Sequence, residues 1–386
     1  MQSRAGRTLL CVTILLLLTC SNFTHDPALA AESSSAAATD EPKSDASAPE
    51  NAASAEDQSA CVICLPRTKP KLRKRGMQKY PLRENADNGE GWVLLSMTVG
   101  ADGSTRDIFV VDSVGSPSFQ KVAIDAVRDW KYDPALESGK PVDTNDYTIK
   151  IVFRFPPGFE GSSHSAASTG YSNAFSLMKE ERFTEAVTLL NETIQTPRIN
   201  LYEETMLEFL LAQSYSRLNR IQDAVLHARR ATVSHGAFLD KRVRASAFRH
   251  LISAELDAGN LVEAKYAAVI LAQIEPNLQP DDPALTRRAD LETSFDAQEN
   301  IGIAGELIAP VPGATTGQWS HILLRRTLAF SHIAGTFTSV RLSCTGRALQ
   351  LTMTTETQWT IQKSAGDCML YVRGAPGSTF TLVESR

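Results

Sequence analysis

Trp92-Val93-Leu94-Leu95-Ser96-Met97-Thr98-Val99-Gly100-Ala101-Asp102-Gly103 is the stretch on which the reading of this chain turns. Side chains alternate across a strand, so Val93, Leu95, Met97 and Val99 share one face. Ala101-Asp102-Gly103 has hairpin-turn chemistry, and Ile108 to Val111 can pair back on the first strand.

Working outward, Ser116-Pro117 supplies a capping side chain and a proline at the first helical position. Phe119, Val122, Ala123, Ala126, Val127 and Trp130 recur at helical spacing, which predicts a helix from Ser116 to Trp130 with one apolar face. Tyr147, Ile149, Ile151, Phe153 and Phe155 alternate with Thr148, Lys150, Val152 and Arg154, so a third strand closes a small ββαβ unit over residues 76–158. Nothing resembling a strand follows before Pro156-Pro157-Gly158 and the Gly/Ser-rich linker to Gly170. One side of the last strand is therefore expected to be an unpaired edge, open to a partner's strand.

The chain has 386 residues, enough for two or three domains, and a formal charge of -5, which does not suggest a nucleic-acid partner. Residues 1–30 read as a signal peptide: Arg4 and Arg7, the apolar run Leu9 to Leu18, then Ala28-Leu29-Ala30. The run is shorter than the roughly 20 residues of an ordinary membrane span. Cleavage after Ala30, lipidation at Cys20 and retention as an inner-membrane anchor all stay open, with export to the periplasm expected. Residues 31–75 read as a disordered tether, acidic from Asp40 to Asp57 and basic from Arg67 to Arg75. The basic block is expected to be a solvated linker or a weak contact for an anionic surface.

From residue 171 to 277 the period turns helical. Phe183-Thr184-Glu185-Ala186, Ile221-Gln222-Asp223-Ala224 and Leu261-Val262-Glu263-Ala264 open three second helices at a spacing of about 40 residues, which resembles a tetratricopeptide array; a plain bundle stays open. After the polar stretch Gln279 to Gln298, residues 300–386 alternate in short runs, one of them Trp319 to Leu328, and predict a small all-β sandwich or barrel. The cysteines left after cleavage at Ala30 form two local pairs, Cys61 with Cys64 and Cys344 with Cys368, and in an exported chain such pairing favours disulfides. The fold class expected is multidomain α+β.

No catalytic motif stands out, so the chain is not read as an enzyme and no cofactor is expected. Cys61-Val62-Ile63-Cys64 has the spacing of a redox or metal pair, but it sits in the tether without a second pair, and a structural disulfide is the favoured reading; no metal site is expected. His227 and His250 are expected to be surface or groove residues of the helices. Trp92, Trp130, Trp319 and Trp359 are expected to be core or rim aromatics.

Tyr80-Pro81, Gly91-Trp92-Val93, Val99 to Gly103 and the helix exit Trp130-Lys131-Tyr132-Asp133-Pro134 together resemble the TonB C-terminal domain family. Members of that family carry energy from the inner-membrane ExbB-ExbD complex to outer-membrane receptors. The resemblance implies that a receptor's extended segment adds to the edge of the last strand. It implies a partner-binding set of Tyr147, Thr148, Lys150, Val152 and Arg154, with Gln78, Tyr80 and Pro81 nearby; for Tyr80 and Pro81 a packing role stays open. A transducer needs a membrane helix and a stiff proline-rich spacer, and this chain shows a cleavable signal and a flexible tether instead. The function expected is thus a periplasmic TonB-family protein that binds an outer-membrane receptor or other envelope protein in the service of outer-membrane transport. A membrane-anchored energy transducer acting with an ExbB-ExbD type complex, and a repeat-based envelope scaffold, are the alternatives.

Overall fold

The computed structural model describes residues 67–76, 89–155, 164–196, 199–310 and 314–386. The signal segment, Cys20, Cys61, Cys64, Gln78, Tyr80 and Pro81 lie outside the described residues, as does the tether up to residue 66. All the elements below fall within one compact unit, Glu56–Arg386, and the fold is multidomain α+β.

The first region runs β1 (Lys71–Lys74), β2 (Gly91–Val99), β3 (Thr105–Val114), α1 (Pro117–Arg128), β4 (Lys131–Asp133), β5 (Ala135–Glu137), β6 (Lys140–Val142) and β7 (Thr144–Phe153). Strands β3, β2 and β7 form an antiparallel sheet in that order. Ser116 caps α1 by accepting from the Ser118 N–H, and Pro117 opens it. Phe119, Ala123 and Val127 of α1 cover Val93, Leu95, Met97 and Val99, and Phe119 stacks on Phe153 at 4.5 Å.

Residues 67–75 are not part of a tether. β1 pairs antiparallel with β4, Lys71 opposite Asp133 and Leu72 opposite Tyr132, and Thr68 bonds Leu136 through the backbone. The cause is Pro70 and Leu72, which are buried and half-buried respectively; the charge run hides this two-residue apolar period.

Helical hairpins follow: α2 (His164–Lys179) with α3 (Phe183–Ile194), α4 (Leu201–Arg217) with α5 (Ile221–Ala231), the single turn α6 (Val233–Gly236), then α7 (Lys241–Asp257) with α8 (Leu261–Ile274) and α9 (Pro283–Ala297). Ala186, Ala224 and Ala264, near the starts of α3, α5 and α8, are fully buried, which lets the paired helices approach closely. The linker expected to reach Gly170 ends at His164 instead. Ala167 and Ala174 are buried, and Gly170 sits so close to Thr193 of α3 that no side chain fits there. The polar stretch after Gln279 is mostly helix α9, capped by Asp282 with Pro283 behind it, and half-buried Leu291 and Phe295 hold it to the hairpins.

The last region holds β8 (Asn300–Glu306), β9 (Gly317–Ile322), β10 (Thr327–Ala334), β11 (Phe337–Cys344), β12 (Arg347–Leu351), β13 (Gln358–Thr360), β14 (Cys368–Gly374) and β15 (Thr379–Ser385). They form two four-stranded sheets, β13-β10-β15-β8 and β12-β11-β14-β9, over a shared core that includes Leu328, Phe330, Leu370 and Phe380. Trp319 to Leu328, read as one strand, is two strands in different sheets. The chain turns at Arg325, whose N–H donates to Glu384 Oε2 at 2.6 Å. Cys344 and Cys368, opposite each other in β11 and β14, form a disulfide.

A buried charge network joins the first region to the hairpins. Arg230 of α5 grips Asp112 of β3 (Nη2 to Oδ1, 2.6 Å) and faces Glu208 of α4 at 3.6 Å, while His227 Nδ1 lies 2.5 Å from Glu208 Oε2. His227 is therefore not a surface residue: it is 7% exposed and stacked on Tyr215. Burial raises the Glu208 carboxyl, but His227 and Arg230 outweigh it and hold the group below its ordinary value. Burial, then repulsion from Glu208, lifts the neighbouring Glu204 to about 8.

Two outcomes follow from these features. An acid raised in the folded state adds stability that is full below its unfolded value of 4.5 and is lost as pH climbs through about 8. Glu204→Gln should therefore leave Tm nearly unchanged at pH 4 and raise it by several degrees at pH 9, at roughly 2–4 °C per kcal/mol; equal shifts by calorimetry at both pH values would refute the protonated state. Replacing both Cys344 and Cys368 by Ser removes a cross-link of sequence separation 24, and should cost about 3 kcal/mol in urea unfolding of the β-domain. An unchanged midpoint would show that the bond contributes nothing.

Candidate functional site

The candidate site is the outer edge of β7. β2 pairs along it from Gly91 opposite Phe153 to Val99 opposite Thr144, and among the described residues no further strand pairs with β7. Its odd-numbered side chains turn to the α1 side, where Ile151 and Phe153 are buried and Tyr147 meets Tyr132 edge-on at 5.5 Å.

The even-numbered side chains turn the other way, onto the chain's own neighbouring regions. Lys150 Nζ donates to Ser234 Oγ at 2.5 Å, and burial pulls its ammonium pKa down. Val152 joins Trp92, Val114 and Leu201 in an apolar cluster with Val233 and Phe238, and the Arg154 guanidinium lies over the Phe238 ring at 5.3 Å. Three of the residues read as partner-selecting are thus brought together, but on residues 233–238. Thr148 stays exposed.

The start of β7 is held by the β-domain. The Asn145 N–H donates to the Gly346 carbonyl at 2.8 Å, and the turn at Gly346, with φ of 78°, lies so close to Thr144 that a Cβ would collide. Arg341 pairs with Asp146 at 3.1 Å and Arg347 with Glu137. Burial pushes the Asp146 carboxyl up, and Arg341 and Ser343 counter it. On the far edge of the sheet, the Arg373 guanidinium lies 3.7 Å from the centre of the Phe109 ring, and Gln318 donates to the Val111 carbonyl.

The end of β7 is tied to α4 through one carboxylate. Glu90 accepts from the Phe155 N–H at 3.0 Å and from the Leu201 N–H at 3.1 Å, the second being an unpaired amide of the first helical turn. Between these two ties lies the middle of β7, around Thr148 to Ile151.

Ser234, Phe238, Gly346, Arg341 and Glu90 were not found in the sequence. All five lie far from β7 along the chain, and only the burial around β7 would have pointed to them. Among the described residues no group of three or more His, Cys, Asp or Glu is placed to hold a metal, and no helix is long and apolar enough to cross a membrane.

Residues 77–155 match the family described as the C-terminal domain of Gram-negative bacterial TonB protein. Protein TonB of Klebsiella aerogenes is 34% identical over 85 residues, which are 22% of this chain and 32% of that protein, so the chain spans about a third of that relative's length. A solved structure of the TonB2 protein of Vibrio anguillarum shares 28% identity, covering 30% of this chain and 99% of that one, with a TM-score of 0.19. The C-terminal TPR-containing domain of a Plasmodium falciparum FK506-binding protein shares 18% identity, covering 34% of this chain and 92% of its own, with a TM-score of 0.29. The match takes in the sheet and helix just described, and residues 77–155 are similar to the TonB C-terminal domain.

Proposed function

We propose that this protein accepts an extended segment of an outer-membrane receptor, or of another envelope protein, as a further strand on the outer edge of β7, in the service of TonB-dependent transport from the periplasm. The observation that carries this reading is that β7 ends its sheet, in a domain of a family associated with transport. Strand addition takes its affinity from main-chain hydrogen bonds and its selectivity from alternate side chains.

The surroundings of β7 modify the inherited reading. Lys150, Val152 and Arg154 are already taken up by residues 233–238, so selection falls to Thr148 and to the walls beside the edge. Exposed Leu349 of β12 is one such wall residue, since β12 starts beside the Asn145–Gly346 contact. The β-domain and the hairpins then act as parts of the receiving site. No catalytic step is proposed.

A photo-crosslinker at Thr148 in intact envelope tests this. The expected product joins it to a short extended segment of an outer-membrane protein. A proline placed in that partner segment removes a main-chain donor and should cut the yield about tenfold, whereas alanine should not. Recovery of no envelope protein from a folded variant, or equal yields with proline and alanine, would refute strand addition.

A further inference from the structure

The basic block at Lys69 to Arg75 is a built surface. Pro70 is buried and Leu72 packs half-buried on the core around Tyr132, so alternation turns Lys69, Lys71 and Arg73 outward, about 6.6 Å apart. The ladder shifts register between Leu72 and Lys74, and Lys74 and Arg75 continue the row. All five are exposed, and among the described residues none forms an ion pair. Lys131, opposite Lys74, adds a cation that Asp102 also faces; Asp133, opposite Lys71, and Asp129, beside Gly76, are further carboxylates near the row. The Arg75 guanidinium is held over the Trp130 ring at 5.2 Å. A chain with net charge -5 thus gathers a row of cations on one ordered ribbon.

We propose that this ribbon is an electrostatic docking surface for an anionic lipid bilayer, whose headgroup phosphates lie against Lys69, Lys71, Arg73, Lys74 and Arg75. The ribbon is an extended row of cations along one strand. It suits a plane of laterally mobile phosphates that can rearrange to meet each cation. A cluster of four to eight Lys or Arg is the size that binds such surfaces, each cation being worth about a fivefold gain in partitioning.

Sedimentation of the full chain with vesicles tests this, comparing phosphatidylcholine alone with equal parts of phosphatidylcholine and phosphatidylglycerol. The expected result is binding to the mixed vesicles that falls about 25-fold in the double variant Lys71→Gln, Arg73→Gln, that survives in Lys71→Arg, Arg73→Lys, and that weakens steeply with added salt. The substituted side chains are exposed, and circular dichroism of both variants checks their fold. Equal sedimentation of the wild-type chain with both vesicle types, unchanged binding by the Gln variant, or capture by soluble polyglycerol phosphate without binding to vesicles would overturn it.

Discussion

Strand β2 has no face left for water. Every residue from Gly91 to Val99 except Leu94 is buried, and Leu94 is half-buried. A three-stranded sheet with one helix can cover only one of its faces, so the second must be covered by something else. Here Trp92 and Leu94 meet Leu201, Val233 and Phe238 of the hairpins, and the outer face of the β-domain lies against β3 and the start of β7. The arrangement of all three regions follows from that need.

Charge then sets how the regions meet. Apolar surfaces slide with little change in energy, whereas a buried ion pair is tolerated only in good geometry. Arg230 meets Asp112 through two nitrogens and also donates to the Pro310 carbonyl, so one guanidinium touches all three regions. A second polar chain links His321 of β9 to Asn260 at the α7–α8 turn and to Glu384 of β15. Both networks run across boundaries and not within one region. Their effect is to select one relative placement among the many that apolar burial alone would allow.

The strands and the helix of the first region were legible because their apolar periods are local and uninterrupted. Ser116-Pro117 announced α1; Asp282-Pro283 carries the same signal for α9 and was passed over because few large apolar residues follow it. β1 was hidden by charge, since only Pro70 and Leu72 carry its inward face. His227 was expected on the surface or in a groove, and its burial was not legible because its partner, Glu208, is on another helix. For β7, the alternation correctly separated two faces, but Lys150 and Arg154, read with exposed Thr148 as facing a partner, meet Ser234 and Phe238 of the same chain. A polar side chain reports that its surroundings can satisfy it and does not report whether they belong to the same chain.

The shared Glu90 carboxylate bears on modularity. It ties Phe155 to Leu201 across what looks, in sequence, like a domain boundary. Cutting the chain there would leave Glu90 with Phe155 but strip the acceptor from the Leu201 N–H, and would uncover Trp92, Leu94, Val114 and Val152 together. An apolar patch of that kind favours self-association. The sheet region of this chain is therefore portable as a sequence but not as a folding unit, and duplication, fusion or excision of it in evolution would have had to carry the hairpins along or rebuild the face they cover.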